Sequence, residues 1–514
     1  MRRRDLFKSA ALAAATPLAA RAEVPTHLWS GYDFGSGPHI TDRLNQGPFG
    51  IEQDEGWYTI AATTPFEGPI VNPGLGLVGY AWEESGPSIA ARNGRETLEQ
   101  HVEKMASLPF VDVLYIRCDW RDVQRQPGRL SLSPVWKLTL DAAKHHGKRV
   151  AFRVMASNTV GQPKYLALPD FVQQKVPIVD IGSLPDYGAF HFREPRYDHP
   201  EFQKAFRDLT ELLAAEFDGN PLIEWIDLMQ YGFWGESHTA NLPSVFPDRL
   251  TAERTTTAMT RLQLESFRRA QIAVNTQPDI TNVGNRDVVD MSIRAGAWLR
   301  SDSILVEEPE QIDALANRPP WLASILEDGY FRKYDTADKD SAGINMLEVQ
   351  MLHALDIGSN YWCLWTEADN LARFSEQHPR GFQRLRQRLG YRLRPSWIWQ
   401  RKRFGANELV IAFANDGVAG VPGVLRISAS TRDGKVLASG SLDAGHPHGG
   451  RTRQAAFAIA RELEGQTVYL RAEIEMKAGV RKPVRWACEQ PLESDGAYSI
   501  RIKSQADTDW RKNV

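Results

Sequence analysis

Between residues 69 and 393, short apolar runs alternate with amphipathic stretches of helical period. That alternation restricts the region to an α/β fold built on a parallel sheet. The apolar runs fall at 75–80, 111–116, 149–155, 223–229, 272–275, 299–304, 322–326 and 360–365. Between them, Leu98, Val102, Met105 and Leu108 share one helical face. Ser133, Pro134 and Gly147 stand at the cap, first-turn and stop positions of a helix, and Phe202, Phe206, Leu209, Leu213 and Phe217 step at helical spacing. Further helices are expected near 256–270, 288–297 and 345–355. Eight strands with interleaved helices match a (β/α)8 barrel with loop insertions. A doubly wound sheet is the alternative. Its dinucleotide-binding version lacks support, because no glycine-rich phosphate loop follows the first strand.

After Pro395 the pattern changes. Short strand-like runs at 408–414, 424–430, 435–439, 467–474 and 498–503 follow one another without helices, and Asp433-Gly434 marks a hairpin. This predicts an all-β sandwich over 396–514, with a helical turn at 457–463. Residues 23–68 are rich in Gly, Pro and aromatic residues and are expected to pack on the barrel of residues 69–395 as an extension.

Residues 1–22 read as a cleavable leader. Arg3 and Arg4 precede Asp5-Leu6-Phe7-Lys8, a short weakly apolar stretch follows, and Ala20-Arg21-Ala22 offers a cleavage site. The expected location is therefore periplasmic or secreted, through the twin-arginine route. The chain carries 61 Lys and Arg against 64 Asp and Glu. Removing the leader takes away five cations and one anion, so no basic surplus supports binding to nucleic acid or to an anionic membrane. Three separated cysteines, Cys118, Cys363 and Cys488, exclude a disulfide framework and a Cys-rich zinc site. Asp335, Asp338 and Asp340 cluster without the spacing of a calcium loop. No metal or cofactor is expected.

In a (β/α)8 barrel, chemistry gathers at the C-terminal ends of the strands. Arg117, Asp119 and Trp120 follow the second expected strand, and Arg153 and Asn158 belong to the third. Tyr231, Trp234, Glu236 and His238 follow the fourth, and Asn275 ends the fifth. Arg300 and Asp302 flank the sixth, Glu327 ends the seventh, and Trp365 and Glu367 end the eighth. Flat aromatic rings can cover the apolar faces of sugars, while carboxylates, amides and guanidiniums bind hydroxyls. Two carboxyl groups flanking a glycosidic bond can protonate the leaving oxygen and attack the anomeric carbon or activate water. Glu236 and Glu327 are the candidate pair, with Glu367 the rival for the second position. Arg117, Asp119, Trp120, Arg153, Tyr231, Trp234, His238, Asn275, Arg300, Asp302, Trp365 and Glu367 are candidates for binding substrate. The two carboxyls need opposite protonation at one pH. Glu236 is expected beside Phe233 and Trp234, and Glu327 near a cation such as Arg117, Arg153 or Arg300.

Several pieces resemble a known group: Asn72-Pro73-Gly74, Tyr115-Ile116-Arg117 with Trp120, Gln126-Pro127-Gly128, Gly147-Lys148-Arg149-Val150 leading to Arg153, Gly232-Phe233-Trp234-Gly235-Glu236, Glu327, and Asn415-Asp416-Gly417-Val418-Ala419. On these the chain resembles secreted bacterial glycoside hydrolases of the retaining (β/α)8-barrel clan. More narrowly it resembles the beta-galactosidase-like members with a C-terminal β-sandwich. The resemblance implies that Glu236 is the acid/base and Glu327 the nucleophile. It departs where the clan has Asn before the strand-four Glu and this chain has Gly235, and where the clan often has Glu and this chain has Gln126. The implied function is an exported hydrolase of an oligo- or polysaccharide. A non-catalytic carbohydrate-binding or scaffold protein on the same barrel is the alternative. A sugar lyase would instead call for a Tyr, Lys or His base.

Overall fold

The computed structural model describes residues 57–504 except 83–93, 163, 186–187, 241, 277–284, 303, 305–306, 328–345 and 404–405. The expected leader, most of the expected N-terminal extension and the Asp335, Asp338 and Asp340 cluster lie outside the described residues.

Eight parallel strands close into a barrel. In chain order the described strands begin with β1 (Trp57–Ala62), β2 (Gly76–Trp82), β3 (Val113–Asp119), β4 (Arg149–Met155), β5 (Ile178–Gly182) and β6 (Phe192–Pro195). They continue with β7 (Ile223–Asp227), β8 (Gln271–Asn275), β9 (Trp298–Ser301), β10 (Ser324–Glu327) and β11 (Tyr361–Leu364). The barrel runs β2-β3-β4-β7-β8-β9-β10-β11 and closes by parallel pairing of β11 with β2. β5 and β6 form an antiparallel hairpin inserted after β4. The expected strands and helices of this region are present, with ends shifted by a few residues. Helices 309–316, 368–377 and 379–388 add to them.

Local signals account for much of this. Ser133 precedes the helix Pro134–His146, Pro134 supplies the fixed φ of the first turn, and Gly147 ends it in the left-handed region at φ 64°. Thr97 and Gln100 form a reciprocal capping box on the helix Leu98–Ser107. Inside the barrel, alternate residues point inward, as strand geometry requires. Tyr80, Tyr115, Trp225, Trp298, Ile325 and Tyr361 fill the interior as a buried aromatic plug, with Trp225 and Tyr361 rings 4.8 Å apart. The next inward residues toward the C-terminal ends are Arg117, Arg153, Asp227, Asn275, Arg300 and Glu327. The charged layer therefore rests on an apolar floor.

The C-terminal region holds two antiparallel sheets. The first contains β1, β12 (Leu393–Arg403), β13 (Ala406–Asn415) and β16 (Thr452–Ile459). The second contains β14 (Val424–Ser430), β15 (Val436–Ser441), β17 (Thr467–Lys477), β18 (Val480–Val484) and β19 (Tyr498–Arg501). Ile398, Leu409, Ile411 and Phe413 from one sheet share a buried cluster with Leu425, Ile427, Leu470 and Ile474 from the other.

Two details differ from the sequence expectation. The described end of the N-terminal extension does not lie on the barrel. It forms β1 and pairs antiparallel with β12, because an extended backbone at that position satisfies an otherwise open sheet edge. The first part of 457–463 is strand as well. β16 pairs with β13 through Ile459, and only Arg461–Leu463 makes a helical turn.

The barrel floor and the sandwich are joined by charge. Lys482 donates to Glu224 at 2.9 Å, and Glu224 also pairs with Arg149 and accepts from Tyr361 at 2.6 Å and the Gly74 amide at 2.7 Å. These cations and donors outweigh burial and hold the Glu224 carboxyl down at about 2. No described helix is long and apolar enough to cross a membrane.

Candidate active site

At the C-terminal face of the barrel, three guanidiniums and four carboxyl groups form one buried network. Arg117 from β3 reaches two carboxyls at once. Its Nη1 donates to Glu327 Oε1 at 3.0 Å, and its Nη2 donates to Glu236 Oε1. Arg153 from β4 donates to the same Glu236 oxygen at 2.9 Å and to both oxygens of Asp302 at 3.2 Å. Arg300 from β9 donates to Asp302 and Glu327, and lies 3.4 Å from Asp227. Its guanidinium also sits over the Tyr115 ring at 4.9 Å. Asp227 accepts from the Tyr115 hydroxyl and from Trp225 Nε1, the latter at 3.1 Å. Asn275 donates to Asp302.

Burial gives these bonds their weight. Arg300 is 0% exposed, Glu327 1% and Glu236 4%, so each charge must be matched inside the protein. Four carboxyls face three guanidiniums, which leaves one negative charge in excess. Burial pushes the Glu327 carboxyl up to about 8. Asp302 is held well below the usual range, because the Arg153 and Arg300 guanidiniums outweigh its burial.

Glu236 sits on a turn that departs from ordinary backbone geometry. Among the described residues, the non-glycine residues with positive φ are Trp234, Ser237 and Ala240, all in this one segment. Such strain collects at functional sites, where the surroundings over-determine the conformation. Gly232 takes φ 77° and ψ −169°, and a Cβ there would stand 2.1 Å from the His238 carbonyl oxygen. The turn closes through the Phe233 amide donating to the His238 carbonyl at 2.7 Å and the Glu236 amide donating to Phe233 at 3.0 Å. The Ala240 amide donates to His238 Nδ1 at 3.2 Å. The ring proton is therefore left on Nε2, which faces Glu236 Oε2 at 3.3 Å.

The structure brings together Arg117, Arg153, Glu236, His238, Asn275, Arg300, Asp302 and Glu327 from the expected set. Trp234 borders the turn, its ring 5.7 Å from the His238 ring. Asp119 lies beside this group and accepts from Asn158 at 2.9 Å.

Other candidates serve elsewhere. Trp120 is a core residue, donating to Gln124 at 2.8 Å and packed edge-on against Phe202. Tyr231 is also core, packed against Tyr197 and Phe246. Trp365 packs partly buried against the barrel's aromatic interior. Glu367 is the N-cap of the helix Ala368–Gln377, and its charge is felt by His101 on an outer helix. The expected contrast of environments is also revised. Glu236 lies on two guanidiniums rather than in an apolar, aromatic setting, because its turn folds back over β3 and β4.

Asp227 and Glu194 are the functional candidates that sequence reasoning passed over. Asp227 had a signal: it is an acid at the inward phase of an apolar strand, two residues after the buried Trp225. Glu194 lies in the β5–β6 insertion, where no periodicity marks it.

No protein-family model and no curated protein matches the chain. Among solved structures, it is similar to endo-glycoceramidase II from Rhodococcus sp., at 12% identity over 78% of this chain and 100% of that one, with a TM-score of 0.35. The catalytic domain of beta-amylase from Paenibacillus polymyxa gives 10% identity, 61% and 98% coverage and a TM-score of 0.40. An exo-beta-1,4-mannosidase from Opitutaceae bacterium strain TAV5 gives 12% identity, 64% and 62% coverage and a TM-score of 0.36.

Proposed function

We propose that the protein is an exported glycoside hydrolase that cleaves an oligo- or polysaccharide with Glu236 and Glu327. The observation that carries this reading is the Arg117 guanidinium, which bonds both carboxyls at the C-terminal face of the barrel. The shared guanidinium holds the two carboxyls near each other, as a paired-carboxylate mechanism requires.

Glu327 fits the nucleophile. Two guanidiniums, Arg117 and Arg300, fix its two oxygens, which restricts the attacking atom to one direction. Glu236 fits the acid/base. Its second oxygen faces the Nε2 proton of His238, a side chain able to pass protons to and from the carboxyl between the two half-reactions. Attack needs Glu327 ionised and Glu236 protonated, so the proton that burial favours on Glu327 would first pass to Glu236; Glu327 would then bond the anomeric carbon while the leaving oxygen takes the Glu236 proton. Water activated by Glu236 would then release the sugar.

A screen of purified protein against a polysaccharide and aryl-glycoside panel, with reducing-end detection, tests the activity. On a responsive substrate, Glu327→Gln should lower turnover by several powers of ten. Glu236→Ala should impair poor leaving groups most, with azide restoring part of the rate. Near wild-type turnover in either variant rules out the pair.

The second reading is a non-catalytic carbohydrate-binding protein. The near-complete burial of both carboxyls favours it, since a fully matched ion network can be purely structural. Saccharide binding by calorimetry without any product would select it.

A further inference from the structure

Glu194 is fully buried on β6, and none of its bonding partners among the described residues is a cation. Its carboxyl meets Tyr197 at 2.5 Å, Gln162 Nε2 at 3.3 Å and the Ser157 hydroxyl. Each partner leads onward. The Tyr197 oxygen accepts from the Gly232 amide at 2.9 Å, which leaves its own proton to donate to Glu194. The Ser157 carbonyl accepts from the Trp234 amide at 3.1 Å. Gln162 turns its Oε1 back to the Arg193 amide at 2.7 Å and locks the hairpin that carries Glu194. One carboxyl thus sits behind two anchor points, Gly232 and Trp234. Gly232 holds a backbone region reserved for glycine, and Trp234 a strained left-handed φ of 54°, just before Glu236.

We propose that Glu194 is a positioning residue, which through Tyr197 and Ser157 holds the strained 232–238 turn in the conformation that presents Glu236 and His238 to the barrel's guanidiniums. The inference rests on the reading of Glu236 as the acid/base for its catalytic meaning. Its structural content stands apart from that reading. A strained turn relaxes unless its surroundings hold it, and here the holding groups converge on a single side chain. The neutral acid can serve as well as the anion. Oε2 accepts from Tyr197 in either state, and the Oε1 hydroxyl of the neutral acid would donate to Ser157; a Gln amide keeps both of these bonds and gives up only the 3.3 Å bond from Gln162 Nε2.

Hydrogen–deuterium exchange on the full chain tests this. Glu194→Ala and Tyr197→Phe should each speed exchange across 230–240 by about tenfold or more, while peptides from β3 and β4 keep their protection. Glu194→Gln should restore the wild-type pattern. On a responsive glycoside, the Ala variant should lose kcat by a similar factor with KM little changed, and Gln should recover it. Unchanged exchange at 230–240 in both the Ala and Phe variants overturns the proposal. So does a uniform rise throughout the barrel, which would mark Glu194 as a general stability residue. If the local exchange behaves as expected but no glycoside is ever turned over, the hydrolase reading fails and Glu194 remains the anchor of the turn.

Discussion

Arg153 donates to Glu236 at 2.9 Å and so ties a rigid barrel strand to a strained turn that follows a different strand. The same guanidinium reaches Asp302, so one side chain fixes two acids that are distant in sequence. A planar fork with several donors can do this, and a point charge cannot.

Replacing Arg153 with Met should therefore leave two buried carboxyls under-matched. The expected cost is about 3–5 kcal/mol of folding stability. Arg153→Lys should recover only part, because an ammonium cannot keep both bonds in the same geometry. Urea midpoints of the two variants, with unchanged slope, check the ordering.

The rate profile should show the proton on Glu327. Attack needs the ionised form, and the resting carboxyl titrates near 8. Activity should rise with pH toward that value. A rate that instead falls as pH passes 8 would reverse the roles, with Glu327 donating the proton and Glu236 attacking.

Glu194 gives a stability signature of fixed sign. Burial pushes its carboxyl from the usual 4.5 up to about 7. Between those values the folded state binds the proton more tightly than the unfolded state, so this residue's contribution is fully present below about 4.5 and is lost as pH rises to about 7. The difference is of order 3 kcal/mol. Denaturant midpoints at pH 5 and pH 8 should show Glu194→Gln gaining on wild type at the higher pH. Parallel midpoints at both pH values would contradict the burial argument.

Gly232→Ala should disrupt the turn directly. Its backbone region is essentially reserved for glycine, and the added Cβ would strike the His238 carbonyl. A loss of about 1–3 kcal/mol is expected from strain alone. Turnover should fall further than stability does, because Glu236 moves with the turn. Equal losses in thermal stability and kcat would place Gly232 outside the site's mechanics.

Export is tested at the other end of the chain. Replacing Arg3 and Arg4 with Lys should retain the protein in the cytoplasm, and the exported wild type should begin at Glu23. Sequencing of the exported protein that found Met1 would remove the proposed leader.

The sequence by itself determined the order of elements. The Ser133-Pro134 start and Gly147 stop, and the spacing of Phe202 through Phe217, are local signals that need no distant partner. Glu236 and Glu327 were legible because an acid just beyond an apolar run stands out, and because a glycine-flanked turn leaves few alternatives. The tertiary structure decided everything that depends on convergence. Trp120 and Glu367 also stand beyond strands, yet one entered the core and the other took the N-cap position of a helix without a side-chain capping bond, because side-chain direction follows from packing. Asp227 read as an ordinary strand residue until closure of the barrel brought Tyr115 and Arg300 to it. Glu194 gained its meaning only when the inserted hairpin met the Gly232 turn. The proton on Glu327 has the same origin. Its charge state is set by burial and by guanidiniums arriving from β3 and β9, and three-dimensional proximity of that kind has no period or spacing along the chain.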